Sequence, residues 1–279
     1  MSTREPIRLI INADDYGYFP CISQGILEAA SSGALTATGI LANSPDLQTH
    51  LEWLDSVEGL DLGVHLNLTF RQPLTATMAE KLSRWDGCFP GAYWMSLMIL
   101  TGKISIQEVR IEWRAQIEAC QGKKLLFLNS HEHIHMLPVL FPLVLKLAQE
   151  YEIPYVRLTQ AEWLAPFGVS ALLRNTLMQA MQAINQPRLK VQTPIFLGLS
   201  RSGKLDYDYL ETIFSNLKPG ESYELMCHPG RFDPREITDL RLKSYHDWSR
   251  ELALLQSPKV HALYEKFGIR LSHYQNKNQ

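Results

Sequence analysis

The chain reads as a single α/β domain, a (β/α) barrel or a variant of one, over residues 1–279. Three observations carry that reading. Short apolar runs bounded by polar turns alternate with segments of helical periodicity through most of the sequence, the pattern of parallel strands joined by helices. The composition, 46% hydrophobic and 20% charged, supplies a large core and excludes disorder. Neither GxGxxG nor GxxxxGK[ST] occurs, which counts against a doubly wound sheet as the alternative.

Taken in order, the first strand is IRLIINA, residues 7–13. CISQGILEAASSG then places Ile22, Ile26, Leu27 and Ala30 on one helical face and stops at Gly33. Strands follow at 37–43 and 60–68, each apolar enough for a sheet buried on both faces. Over 105–120, Ile106, Val109, Trp113 and Ile117 recur at helical intervals behind Ser105, with Glu108 three residues on as in a capping box. The strand at 125–131 precedes LPVLFPLVLKLAQEYE, apolar nearly all round, as a helix packed on a sheet would be. Strands at 155–159, 195–199 and 223–229 and helices at 207–217 and 250–268 complete the alternation. The stretches around 70–104 and 160–194 read as long loops, and long ordered loops tend to cover sites.

Charge and cysteine usage narrow the function classes. A net charge of −2 and a pI near 6.5 give no footprint for nucleic acid or for a membrane surface. The four cysteines are scattered without a CxxC pair, which suits reduced thiols and a cytoplasmic protein. The N-terminus lacks a signal-peptide run, and no stretch is apolar enough for stable membrane insertion.

The residues that carry chemistry sit at the strand exits. Asp14 and Asp15 follow the first strand, and two adjacent carboxylates repel unless a cation or proton lies between them. His65 lies near the end of LDLGVHLNLTF, NSHEHIHMLP follows the fourth strand with His131, His133 and His135, and His228 follows YELMC. Each has an ordinary explanation alone: a turn, a core histidine, a solvated loop. Together they place five of nine histidines where a barrel builds its active site, in the imidazole-plus-carboxylate combination that binds divalent ions. Arg157, at another strand end, reads either as a residue that orients a carboxylate or as half of an ordinary surface pair. Trp94 and Trp163 read as packing residues that would stack on a sugar ring only if their loops cover the mouth.

The segments NADDYG, GVHLNLT, NSHEHIHMLP and CHPG, in this order and at these separations, resemble the YdjC-like carbohydrate deacetylases. That group includes chitooligosaccharide deacetylase and the hopanoid-biosynthesis-associated deacetylases. The resemblance spans residues 7–272, and FLGLSRSGKL is more similar to the hopanoid-associated branch. It implies a distorted TIM-like barrel, one divalent ion (Mg²⁺ or Zn²⁺), and hydrolysis of an N-acetyl group from a sugar. Carried over by motif, Asp15, His65 and His131 would bind the metal, Asp14 would be the general base and His228 the general acid. Asn67, Asn129, His133, His135 and Arg157 would stand behind the ligands or against the substrate. The family often forms symmetric oligomers, so a homodimer is expected. Asn129 stands where the chitooligosaccharide branch has Asp, Ser23 where many members have Asn, and Tyr16 where Phe is usual. Two rival readings remain. One is another metal-dependent barrel hydrolase, an amidohydrolase or phosphoesterase, though these usually carry HxH on the first strand. The other is a non-catalytic sugar-binding protein.

Overall fold

The computed structural model describes residues 5–164 and 168–274. Its sheet is parallel throughout, and its strands are β1 (Ile7–Tyr16), β2 (Ala37–Ile40), β3 (Asp61–Leu66), β4 (Leu125–Ser130), β5 (Tyr155–Val156), β6 (Ile195–Leu197), β7 (Ser222–Cys227) and β8 (Ile269–Leu271). Their order is β5-β4-β3-β2-β1-β7-β6, with β8 paired to β1. The sheet curls as a barrel does but is a half-barrel: among the described residues no pairing joins β5 to β6. Because all strands run the same way, their C-terminal ends gather on one face.

The helices are α1 (Pro20–Ser31), α2 (Leu47–Leu54), α3 (Ala76–Lys81), α4 (Ala92–Leu100), α5 (Ile106–Ala119), α6 (Phe141–Glu150), α7 (Val169–Asn185), α8 (Tyr207–Phe214), α9 (Leu240–Tyr245), α10 (Trp248–Leu255) and α11 (Pro258–Phe267). The capping box is present: Ser105 accepts from the Glu108 N–H while the Glu108 carboxylate accepts from the Ser105 N–H. The single helix expected over 250–268 is two, parted at Ser257-Pro258, because proline cannot donate to the preceding turn. The stretches read as long loops contain α3, α4 and α7. Periodicity is poor in α4, which is apolar on almost every side, so the pattern gave no face to detect.

β1 holds the sheet together. Its Arg8–Ala13 segment pairs with β7, Ile7–Leu9 with β8, and Asn12–Tyr16 with β2. The main core lies between the outer face of the sheet and the helices, and includes Leu9, Ile11, Ala13, Ile26, Val64, Trp113 and Leu225. A smaller cluster of Ile10, Ala37, Leu126, Phe127 and Tyr274 fills the inside of the curl, with Tyr274 stacked on Phe127 at 4.6 Å. Side chains alternate along a strand, so Ile10, Asn12 and Asp14 share one face of β1, and polarity rises towards the C-terminal end.

Candidate active site

The two aspartates lie inside β1 rather than after it, as the sequence had suggested. The pairing register with β2 shifts between Ala13 and Tyr16, and Asp15 takes a left-handed φ of 72°. A bulge of this kind breaks the alternation that would send adjacent side chains to opposite faces. Both carboxylates therefore line the same cavity, which has a volume of about 840 Å³. Tyr16 continues the strand, and its hydroxyl donates to the His50 carbonyl at 2.7 Å, a partner that phenylalanine would lack.

Asp15, His65 and His131 offer one ligand atom each, all within 4.8 Å of one another. His65 Nε2 is 3.2 Å and His131 Nδ1 2.9 Å from Asp15 Oδ1. Burial pushes the Asp15 carboxyl up, but the two imidazoles hold it well below the usual carboxylate range. Burial pushes His131 down, and the Asp15 charge outweighs it and raises the ring to about 9. Two imidazole nitrogens and a carboxylate oxygen, converging on an open cavity, fit a divalent cation by the chemistry of the donor set.

Asn129 links this group to Asp14. His65 Nδ1–H donates to Asn129 Oδ1 at 2.8 Å, which turns the Nε2 lone pair to the Asp15 side. The other end of the same amide, Nδ2, donates to Asp14 Oδ1 at 3.0 Å. An aspartate here would accept but not donate.

Asp14 faces a buried cation. Arg157 donates from Nη1 to Asp14 Oδ2 at 2.6 Å and from Nη2 to Oδ1 at 2.8 Å. Its Nε donates to Glu224 Oε1 at 2.7 Å, and Asn12 Nδ2 bridges Glu224 and Asp14. Burial pushes Asp14 up, and Arg157 together with His65 brings it to about 2. Arg157 is thus turned towards the protein's own carboxylates, with its guanidinium 5.1 Å from the Phe196 ring.

The remaining histidines divide. His228 lines the cavity; its backbone N–H donates to Glu251 at 2.6 Å, and its ring sits 5.0 Å from that of His246. His135 is spent on structure: Nε2–H donates to the Arg157 carbonyl at 3.0 Å, so Nδ1 accepts from the Ser130 hydroxyl at 2.6 Å. Both ring nitrogens of His135 are thus engaged within the protein. His133 lines the cavity with Thr159 at 3.2 Å from Nδ1, and burial with Arg157 nearby holds it neutral. Glu132 and His133 both have left-handed φ, 50° and 54°, so the turn at 131–136 is neither strand nor regular helix. Asn67 is not among the cavity-lining residues: its Oδ1 accepts from the Thr69 and Phe70 N–H groups and fixes that turn. Trp94 and Trp163 do not line the cavity either; its aromatic wall is Tyr18, Phe19, Phe70, Phe89 and Tyr245.

Sequence reasoning missed Glu224, His246 and Glu251. A lone glutamate inside the apolar run YELMC was the available signal, since a buried carboxylate needs a cationic partner. His246 lies in a polar stretch with nothing to distinguish it from a surface residue, yet it is 9% exposed and stacked on Trp248.

Fold and site together define a class: a curled parallel α/β sheet with an Asp-His-His cluster and a buried Asp–Arg pair at its strand exits. The YdjC-like protein family model matches residues 8–266, and the chain belongs to that family. A protein of Yersinia enterocolitica serotype O:8 named chitooligosaccharide deacetylase is 28% identical over 273 residues, covering 95% of this chain and 97% of that one. A Yersinia pestis (strain Pestoides F) protein of the same name is 29% identical over 277 residues, with the same coverage. A crystal structure from Enterococcus faecalis V583, described as a candidate cellobiose-phosphate cleavage protein, superposes with a TM-score of 0.75 at 27% identity. It covers 98% of this chain and 100% of its own.

Proposed function

We propose that this chain is a metal-dependent carbohydrate N-deacetylase. Its substrate is an N-acetylated sugar, an oligosaccharide or glycolipid containing N-acetylglucosamine, and its product is acetate. The observation that carries this reading is the meeting of Asp15, His65 and His131 within 4.8 Å in a cavity that also bears Asp14 and His228. The names of the Yersinia relatives point the same way. Asp15, His65 and His131 would hold the ion, and two nitrogens with one oxygen suit zinc better than magnesium, which prefers oxygen donors. Bound there, a divalent ion would polarise the acetyl carbonyl and acidify a water molecule.

The chain's own groups do the rest. Arg157 keeps Asp14 ionised, and with Asn129 it fixes the plane of the carboxyl group before substrate arrives. Asp14 takes the proton of the attacking water. His228 gives a proton to the sugar nitrogen, which leaves poorly as an anion. The balance is one amide and one water consumed, one acetate and one amine formed. His133, held neutral, adds no positive charge to the wall. Tyr18, Phe70 and Phe89 offer apolar faces to a sugar ring.

The test is acetate release from N-acetylglucosamine, chitobiose and lipid-linked N-acetylglucosamine, with and without chelator, alongside metal content per chain. Asp14→Asn should lose turnover yet keep its metal, whereas His65→Ala and His131→Ala should lose both. Equal metal loss in all three would refute the division of labour. A silent panel from protein carrying one metal per chain would favour another hydrolase chemistry.

A further inference from the structure

We infer that the rim of the cavity docks on an anionic lipid bilayer through the outward faces of α4 and α7. On α7, Val169, Leu173, Leu177 and Ile184 fall within about 80° of arc at 100° per residue, and Val169 and Leu173 are 87% and 71% exposed. On α4, Tyr93, Leu97 and Leu100 form a second stripe, with Tyr93 74% and Leu100 59% exposed and Trp94 beside them. Isolated apolar residues at a surface need no explanation, but runs of them on two neighbouring elements do. Both helices pack against the 131–136 turn, and both reach the cavity, α4 through Ala92 and α7 through Arg174 and Met178. The apolar stripes therefore frame the mouth on two sides.

Charge points to the occupant. The whole-chain charge of −2 gives no membrane footprint, but it averages over a local asymmetry: of the 29 acidic residues, none falls between 87 and 107 and none between 163 and 205. The charges these segments do carry are all positive: Lys103, Arg174, Arg188, Lys190, Arg201 and Lys204. Exposed leucines with tyrosine and tryptophan among lysines and arginines are the composition of an element that lies in the headgroup layer of an anionic membrane. No described helix is long and apolar enough to cross one, so the contact is superficial. A second copy of the chain fits less well. A two-fold interface sets each patch against itself, so it would bring like charges together and shut the mouth.

The test uses the intact protein and needs no turnover, so it stands or falls separately from the deacetylase reading. Flotation would be measured with phosphatidylcholine vesicles and with vesicles that also contain phosphatidylglycerol, at low and high salt. The wild type should float with the anionic vesicles and much less with the neutral ones, and salt should weaken it. Leu173→Glu/Leu177→Glu and Tyr93→Glu/Leu97→Glu should each lower the bound fraction roughly tenfold, since each removes apolar contact and adds negative charge. Ile111→Glu, at an exposed apolar site on α5, should not. Circular dichroism would check that each variant folds. Absence of flotation on anionic vesicles would overturn the proposal, as would an equal loss in Ile111→Glu. A solution dimer that Leu173→Glu/Leu177→Glu dissociates, without flotation of the wild type, would assign the face to a second copy instead.

Discussion

Arg157 shows how one side chain serves both stability and chemistry. It is fully buried between Asp14 and Glu224, and its charge is what holds Asp14 ionised there. Arg157→Met would leave both without a cation, and breaking a buried pair in this way costs about 3–5 kcal/mol. Urea unfolding should read that loss, together with loss of turnover. Buried histidines set a second, acid-side effect. Burial drives His135 to about 3 and, with His228 adding to it, His246 also to about 3. Unfolded, both rings take a proton near pH 6.5, so each lowers stability by up to about 1.4 kcal/mol per pH unit as pH falls from there. Asp14, held at about 2, contributes stability above its ordinary 3.8 and loses it only as pH falls through that range. Unfolding free energy should therefore begin to drop below pH 6.5, well before carboxylates titrate. A level profile down to pH 4 would contradict the neutral, buried state of these two rings.

Among the elements, α1 meets the exit of β7 at unusually short range. A Cβ on Gly25 would lie 2.5 Å from the backbone of Gly230 and 2.6 Å from the Arg231 nitrogen, so helix and loop touch main chain to main chain. Gly230 lies two residues beyond His228, and Gly25→Ala must push that loop away. Overpacking of this kind costs about 1–3 kcal/mol, and turnover should fall with stability if His228 acts in catalysis. Gly25 stood out in the sequence only as a glycine inside a helix. Its reason is a contact with a residue some 200 positions later. The same distinction marks what could be read elsewhere. Seven strands, α1, α5, α6 and α8 were legible because their periodicities are local. β8 was not, being three residues whose meaning lies in pairing with Ile7–Leu9. The bulge that turns Asp15 inward and the left-handed pair Glu132-His133 were also hidden, because neither residue type announces such a backbone. Asp14, Asp15, His65, His131 and His228, singled out by their position at strand ends, line one cavity; Glu224 and His246, which lie against them, were not singled out.

For the molecule as a whole, a cation held by Asp15, His65 and His131 would tie β1, β3 and the turn after β4 together. An ion at one hundred times its dissociation constant adds about 2.7 kcal/mol to folding, which for a chain of this size is a Tm rise of roughly 5 °C. Chelator should lower Tm by that amount in the wild type and in Asp14→Asn, and have no effect in His65→Ala. A chelator shift that survives in His65→Ala would place the ion elsewhere.

The pairing of β8 with β1 has a consequence for how the protein is made. Ile7–Leu9 leave the ribosome some 260 residues before their partners Ile269–Leu271, and Tyr274, the lid on the inner cluster, follows later still. Until then Ile10 and Phe127 have no cover from below. The nascent chain therefore carries an unsealed apolar interior through most of its synthesis, and it should depend on chaperones until β8 emerges. A stop codon placed just before Ile269 would spare every residue of the candidate site and still yield a chain that cannot close beneath it.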